Sequence, residues 1–157
     1  MATTQATLAL TALGIHFIER EYAHDAAVTS FGVEAATALG VEPERVFKTL
    51  LVELDGALVV AIVPVTGTLD LKALAAALGG RKAVMAGVAL AERKTGYVVG
   101  GISPIGQKTK LPTVLDESVE LFDTVFVSGG RRGFDIELSP ADLVRASEAL
   151  IAAIGRP

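Results

Sequence analysis

The chain has 157 residues, 51% of them hydrophobic, with no cysteine, two histidines and a net charge of −4 at a pI near 5.2. That is the size of one domain, with enough apolar content to bury a core without covalent staples. The lack of cysteine excludes disulfides, thiolate metal sites and a cysteine nucleophile within the chain. The acidic balance argues against a stand-alone nucleic-acid binder, whose affinity rests on neutralising phosphates.

Residues 4–13 are apolar at near-helical spacing (Leu8, Leu10, Leu13) and stop at Gly14, a C-cap residue. His16 to Tyr22 alternates loosely and reads as a strand, and Ser30 to Leu39 reads as a helix with Ser30 as its cap and Gly40 at its end. Val46–Leu54 and Ala57–Val63 are β-rich runs joined by Asp55-Gly56, a strong hairpin signal. A helix over Asp70–Leu78 is expected, capped by Thr68 or Asp70 and closed by Gly79-Gly80. A short strand at Lys82–Met85 and a helix from Val88 to Thr95, ending at Gly96, come next. After Tyr97-Val98-Val99 and a glycine loop, a strand is expected near Thr113–Leu115. A second hairpin (Thr124–Ser128, Phe134–Leu138) turns around Gly129-Gly130-Arg131-Arg132-Gly133, and Ser139-Pro140 opens a last helix. Strands outnumber helices and tight hairpins link several of them. The expected fold is therefore α+β, one domain over residues 1–157, with a mixed, largely antiparallel, curved and barrel-like sheet surrounded by helices.

No apolar run reaches the roughly 20 residues that span a bilayer. Met1-Ala2-Thr3-Thr4-Gln5 has no basic stretch leading an apolar one. The cytoplasm is the expected compartment, with no membrane partner.

Gly100-Gly101-Ile102-Ser103-Pro104-Ile105-Gly106 follows an apolar run. Adjacent glycines let backbone approach a ligand and aim N–H groups at an oxygen, yet a plain tight turn needs the same glycines. Gly101 to Lys108 imitates a P-loop, but Gln107 displaces the lysine from the phosphates. Ser103 is not in a nucleophile elbow, since Ile105 stands where glycine is needed. Lys48 interrupts the apolar run Val46–Leu51, so its charge must reach solvent, find a partner or line a cleft. One of the strand carboxylates Asp135 and Glu137 can face it. His16 and His24 lack metal-ligand spacing, and His24-Asp25 reads as a turn or a small polar pair; no metal or cofactor is expected. Arg131, Arg132, Lys108 and Lys110 are loop cations that either hold phosphates or are merely solvated. Ser103, Thr49, Tyr22 and Lys48 include no nucleophile with an activating base, so a hydrolase built on them must borrow chemistry from its substrate.

Tyr22-Ala23-His24-Asp25, Phe31-Gly32, Val46-Phe47-Lys48-Thr49-Leu50-Leu51, Leu69-Asp70-Leu71-Lys72, Thr95-Gly96-Tyr97, the stretch from Gly100 to Lys108, Val127-Ser128-Gly129-Gly130 and Gly133 to Leu138 occur in that order. Together they resemble the YbaK-type branch of the prolyl-tRNA synthetase editing-domain superfamily, the Cys-tRNA(Pro) deacylases, from about residue 8 to about residue 150. The resemblance implies trans-editing for translation fidelity: removal of cysteine from tRNA(Pro), which the synthetase mischarges because a pocket discriminates poorly between compact near-isosteres. It implies attack by the substrate thiol on its own ester, releasing a thiolactone. It implies that Lys48 contacts the substrate end of the tRNA and that Gly100 and Gly101 offer backbone donors to the carbonyl. Tyr22, Phe31 and Thr49 then shape the pocket, with Ile102, Ser103, Pro104 and Asp135 alongside. The implied partners are the CCA end of the tRNA and, transiently, prolyl-tRNA synthetase, which would leave the acidic domain few phosphates to bind. A sister deacylase for another small residue such as alanine, and a non-catalytic tRNA- or synthetase-binding module, are the competing readings.

Overall fold

Turn and cap chemistry sets most element boundaries. The computed structural model describes residues 3–25 and 31–157. Thr4 caps α1 (Gln5–Ala12) in a reciprocal box with Thr7. Of its leucines, Leu10 is fully buried whereas Leu8 and Leu13 are exposed. β1 (Ile18–Glu21) and α2 (Phe31–Leu39) follow; the expected cap Ser30 lies outside the described residues. β2 (Phe47–Leu54) and β3 (Ala57–Pro64) form the expected hairpin, with Asp55 and Gly56 both left-handed at φ 52° and 83°. Two successive positive φ values match the strand twist, which is why Asp-Gly serves here.

Beyond β4 (Thr68–Leu69), Asp70 rather than Thr68 caps α3 (Leu71–Ala77), its carboxylate accepting from Ala73 N–H at 3.0 Å. β5 (Ala83–Met85), α4 (Val88–Thr95) with its left-handed Gly96 cap, and β6 (Thr113–Asp116) come next. The second hairpin pairs β7 (Val125–Arg131) with β8 (Phe134–Leu138), so β7 runs three residues beyond its expected end. Gly129-Gly130 is a bulge inside β7, and the turn itself is Arg132-Gly133. Ser139 caps α5 (Pro140–Ser147), and two short strands, β9 (Leu150–Ala152) and β10 (Gly155–Arg156), follow it.

These strands do not make one barrel-like sheet. They divide into β5-β2-β3-β6-β9, β1-β8-β7 and β10-β4. Pairing is antiparallel except for β3 with β6 and β6 with β9. The largest sheet does not close because β5 covers β2 only at Val52–Leu54, and a single bridge, Val46 to Phe126, links β2's start to β7.

The central core lies between the two larger sheets, with Val60, Ile62 and Leu115 facing Val127, Phe134 and Ile136. A second cluster on the opposite face of β3 packs Val59, Ala61 and Val63 against Leu74 of α3 and Ile154. β3 is thus buried on both faces, which explains its unbroken apolar run.

Asp116 ties the chain's last residues to this frame. Its carboxylate accepts from the N–H groups of Ile154 (3.0 Å) and Gly155 (2.7 Å) and from Ser118. Burial pushes that carboxyl upward, but these hydrogen bonds outweigh it and hold the group below the ordinary value. Asp116→Ala would orphan two backbone donors, and thermal unfolding should show a loss of about 2–3 kcal/mol.

Candidate active site

Between the Val46–Phe126 bridge and the Leu51 carbonyl, which accepts from Ala86 N–H at 3.0 Å, no described strand flanks the outer edge of β2. A cavity of about 420 Å³ opens along this gap. Tyr22, Phe31, Lys48, Thr49, Gly100, Ile102 and Asp135 line it, so strands β2 and β8, helix α2 and the glycine loop converge there. The remaining expected residues, Gly101, Ser103 and Pro104, do not line it.

Strand alternation sorts the β2 side chains. Phe47 and Leu51 point into the central core, so Thr49 leans the same way, while Lys48 shares the face of Leu50 and Val52. The Thr49 hydroxyl is buried without a hydrogen-bond partner among the described residues. Lys48 Nζ donates to the Gly67 carbonyl at 3.0 Å, and burial holds its amine below the ordinary lysine range.

Asp135 is 5% exposed, and its carboxyl has no hydrogen-bond partner among the described residues. Burial pushes its carboxyl up to about 7. Tyr22 is pushed up to about 12, first by burial and then by the nearby Asp135 charge. Lys48 and Asp135 form no ion pair within 4 Å, and burial is the sole cause acting on each. The cavity therefore carries a cation from β2 and a titratable carboxyl from β8 that do not pair with each other. The other strand carboxylate, Glu137, is occupied by Arg20, Arg45 and Thr124.

The glycine loop is built differently from expectation. Gly100 has φ 91°, and its N–H has no acceptor among the described residues. A Cβ there would lie 2.6 Å from Arg132 Nε and 3.1 Å from Phe31 Cδ1. Gly101 is corrected as a donor to the ligand: its N–H already donates to Val98 O at 2.8 Å. It is glycine because a Cβ would meet the Arg131 backbone at 2.6 Å. Ser103 and Pro104 are corrected as pocket residues, since both are buried away from the cavity. Ser103 Oγ accepts from Ile105 N–H at 3.2 Å, and Tyr97 OH donates to Ile105 O at 2.6 Å; this half of the loop is scaffold.

His24 does not pair with Asp25 as a dyad. Its Nδ1 lies 2.8 Å from Glu34 Oε1, and the same carboxylate accepts from Asp25 N–H. Arg131 pairs with Glu21 and Lys110 with Glu148, which removes both from the list of unspent cations. Ser128, Met85 and Val88 line the cavity without having been singled out in the sequence. Ser128 was findable as the cross-strand partner of Asp135; Met85 and Val88 carry no local signal. No group of His, Asp and Glu side chains that could hold a metal occurs among the described residues.

The aminoacyl-tRNA editing domain model matches residues 24–146. A protein of Enterococcus faecalis (strain ATCC 700802 / V583), EbsC, described as a candidate Cys-tRNA(Pro)/Cys-tRNA(Cys) deacylase, is 42% identical over 120 residues, 76% of this chain and 73% of its own. The chain belongs to the aminoacyl-tRNA editing domain family. Two crystal structures share the editing-domain fold. One, of a hypothetical protein, has TM-score 0.87 at 25% identity, covering 98% of this chain and all of that one. The other, a candidate trans-editing enzyme for prolyl tRNA synthetase, has TM-score 0.81 at 24% identity with full coverage of both chains.

The Asp135 environment has a measurable consequence for stability. Its folded carboxyl titrates near 7 against an ordinary 3.8, so the folded state binds the proton more tightly than the unfolded one. Stability should therefore fall as pH rises from about 4 to about 7, by at most ~4 kcal/mol. Denaturant titrations of Asp135→Asn across that window should show this decline removed.

Proposed function

We propose that this editing domain, acting as one unit over residues 1–157, removes cysteine from mischarged Cys-tRNA(Pro), the substrate's own thiol attacking its ester. The observation that carries the reading is a cavity with separated Lys48 and Asp135 and no histidine or cysteine among its lining residues. An aminoacyl ester bears an ammonium group next to a carbonyl, so it matches a cavity lined by one carboxylate and one separate cation. Asp135, when ionised, holds the ammonium; Lys48 and the Gly100 N–H, which has no acceptor among the described residues, serve the ester oxygens. Thr49 Oγ1 offers a further polar contact in an otherwise apolar corner.

The chemistry balances within the substrate. The thiolate sulfur bonds to the carbonyl carbon, the bond from that carbon to the ribose oxygen breaks, and the thiol proton ends on the ribose hydroxyl. A thiolactone and free tRNA result. Proximity supplies the acceleration, because the cavity folds thiol and carbonyl together. The similarity to EbsC, a candidate Cys-tRNA(Pro)/Cys-tRNA(Cys) deacylase at 42% identity, supports the same substrate. No helix among the described residues is long and apolar enough to cross a membrane, and the proposed setting is the cytoplasm, with prolyl-tRNA synthetase as transient partner.

Deacylation of Cys-, Ala- and Ser-tRNA(Pro) with product analysis tests this. Cysteine should be released as thiolactone at least tenfold faster than the others. Comparable turnover of Ala-tRNA(Pro), which has no thiol, would replace the reading with hydrolytic editing.

Lys48 depends on a second layer. A Cβ at Gly67 would collide with Arg156 O, so Gly67→Ala must displace either β10 or the turn whose carbonyl holds Lys48. Gly67→Ala should lower kcat/KM about tenfold on its own and add almost nothing in a Lys48→Ala background. Additive losses in that cycle would mean Gly67 acts through general stability instead.

A further inference from the structure

We propose that Arg132, with the apolar rim beside it, forms the subsite for the 3′-terminal nucleotide of the tRNA, the guanidinium taking that nucleotide's 5′-phosphate. The inference rests on the tRNA-editing reading above and assigns a part of the substrate that the cavity itself does not hold.

Arg132 sits on the β7–β8 turn and is exposed, yet two contacts hold it in place. Its Nε donates to Val99 O at 2.9 Å. Its guanidinium lies 5.0 Å from the Phe31 ring centroid. Its Nε stands 2.6 Å from the point where a Gly100 Cβ would be, so that glycine makes room for it. Val99, Phe31 and Gly100 all line the cavity, which places the guanidinium at the cavity mouth. Arg20, Arg45, Arg131 and Arg156 each have a carboxylate within 4 Å, whereas Arg132, like Arg81, Arg93 and Arg145, has none among the described residues. Stacking on an aromatic face while one edge is hydrogen-bonded leaves the Nη donors free and pre-organised, the arrangement that suits bidentate phosphate contact.

Exposed apolar side chains line the same cavity. Val33, Met85 and Val88 line the cavity and are 48%, 50% and 59% exposed. A cation beside an exposed apolar surface complements a nucleotide, with its flat base and its anionic phosphate. The order of groups agrees: an aminoacyl moiety in the cavity leaves its ribose at the mouth and the phosphate outside. A chain of net charge −4 that binds RNA must place its positive charge locally, and Arg132 is such a placement.

The test is binding, and so does not depend on turnover. An uncharged acceptor-stem RNA ending in CCA is compared at low salt with the same RNA lacking the terminal adenosine nucleotide. The wild type should prefer the complete end about tenfold. Arg132→Ala should abolish that preference, and Arg132→Lys, which keeps the charge but not the stack, should restore part of it. Val88→Asp, tolerated at a helix N-terminus, should also erase the preference by placing a negative charge at the rim. Equal weakening of both RNAs by Arg132→Ala, or no weakening of either, overturns the proposal. Intact discrimination without any deacylation would instead reject the deacylase reading and leave the subsite standing.

Discussion

The open stretch of β2's outer edge, from Phe47 to Leu51, is the constraint around which the molecule is arranged. Edge backbone groups without a ladder partner are costly when buried and invite pairing when exposed. Here the stretch is pinned at one end by the Val46–Phe126 bridge and at the other by Ala86, so the sheets cannot slide together and fill it. The cavity is the space that remains. Because strand alternation sends neighbouring side chains to opposite faces, the same short segment delivers Lys48 to one side and Thr49 to the other.

The electrostatics of that space follow from burial more than from pairing. Asp135 and Lys48 are each shifted toward neutrality by desolvation, and neither is quenched by the other. A site with two such groups at a distance is unsatisfied until something with complementary charge enters. It offers orientation and polarisation without a nucleophile, which suits a substrate that brings its own.

Support for Lys48 comes from the far end of the chain. β10 pairs with β4, Arg156 reaches Asp70 at 3.0 Å, and Ile154 and Gly155 are latched to Asp116. Together they fix the turn whose Gly67 carbonyl receives the lysine. The family match stops at residue 146, so the C-terminal side of this brace, Ile154 to Arg156, lies outside it. On the opposite side, Arg132 braces the glycine loop and α2 in the same manner, from a hairpin tip.

The sequence by itself determined the features that are local in their physics. Asp55-Gly56 dictated a hairpin, Gly96 and Ser139-Pro140 marked helix ends, and Lys48 announced itself as a charge in an apolar strand. Only the tertiary structure decided which glycine does what: the Gly100 N–H has no acceptor among the described residues, while Gly101 spends its own on Val98 and its missing Cβ on Arg131. Nor could residues 150–156 be recognised as strands, since two- and three-residue strands have no period of their own and exist through partners 30 to 90 positions away. The separation of Lys48 from Asp135 belongs to the same class. Both residues are visible in the chain, but the gap between them is set by where two sheets stop pairing, and that depends on long-range packing.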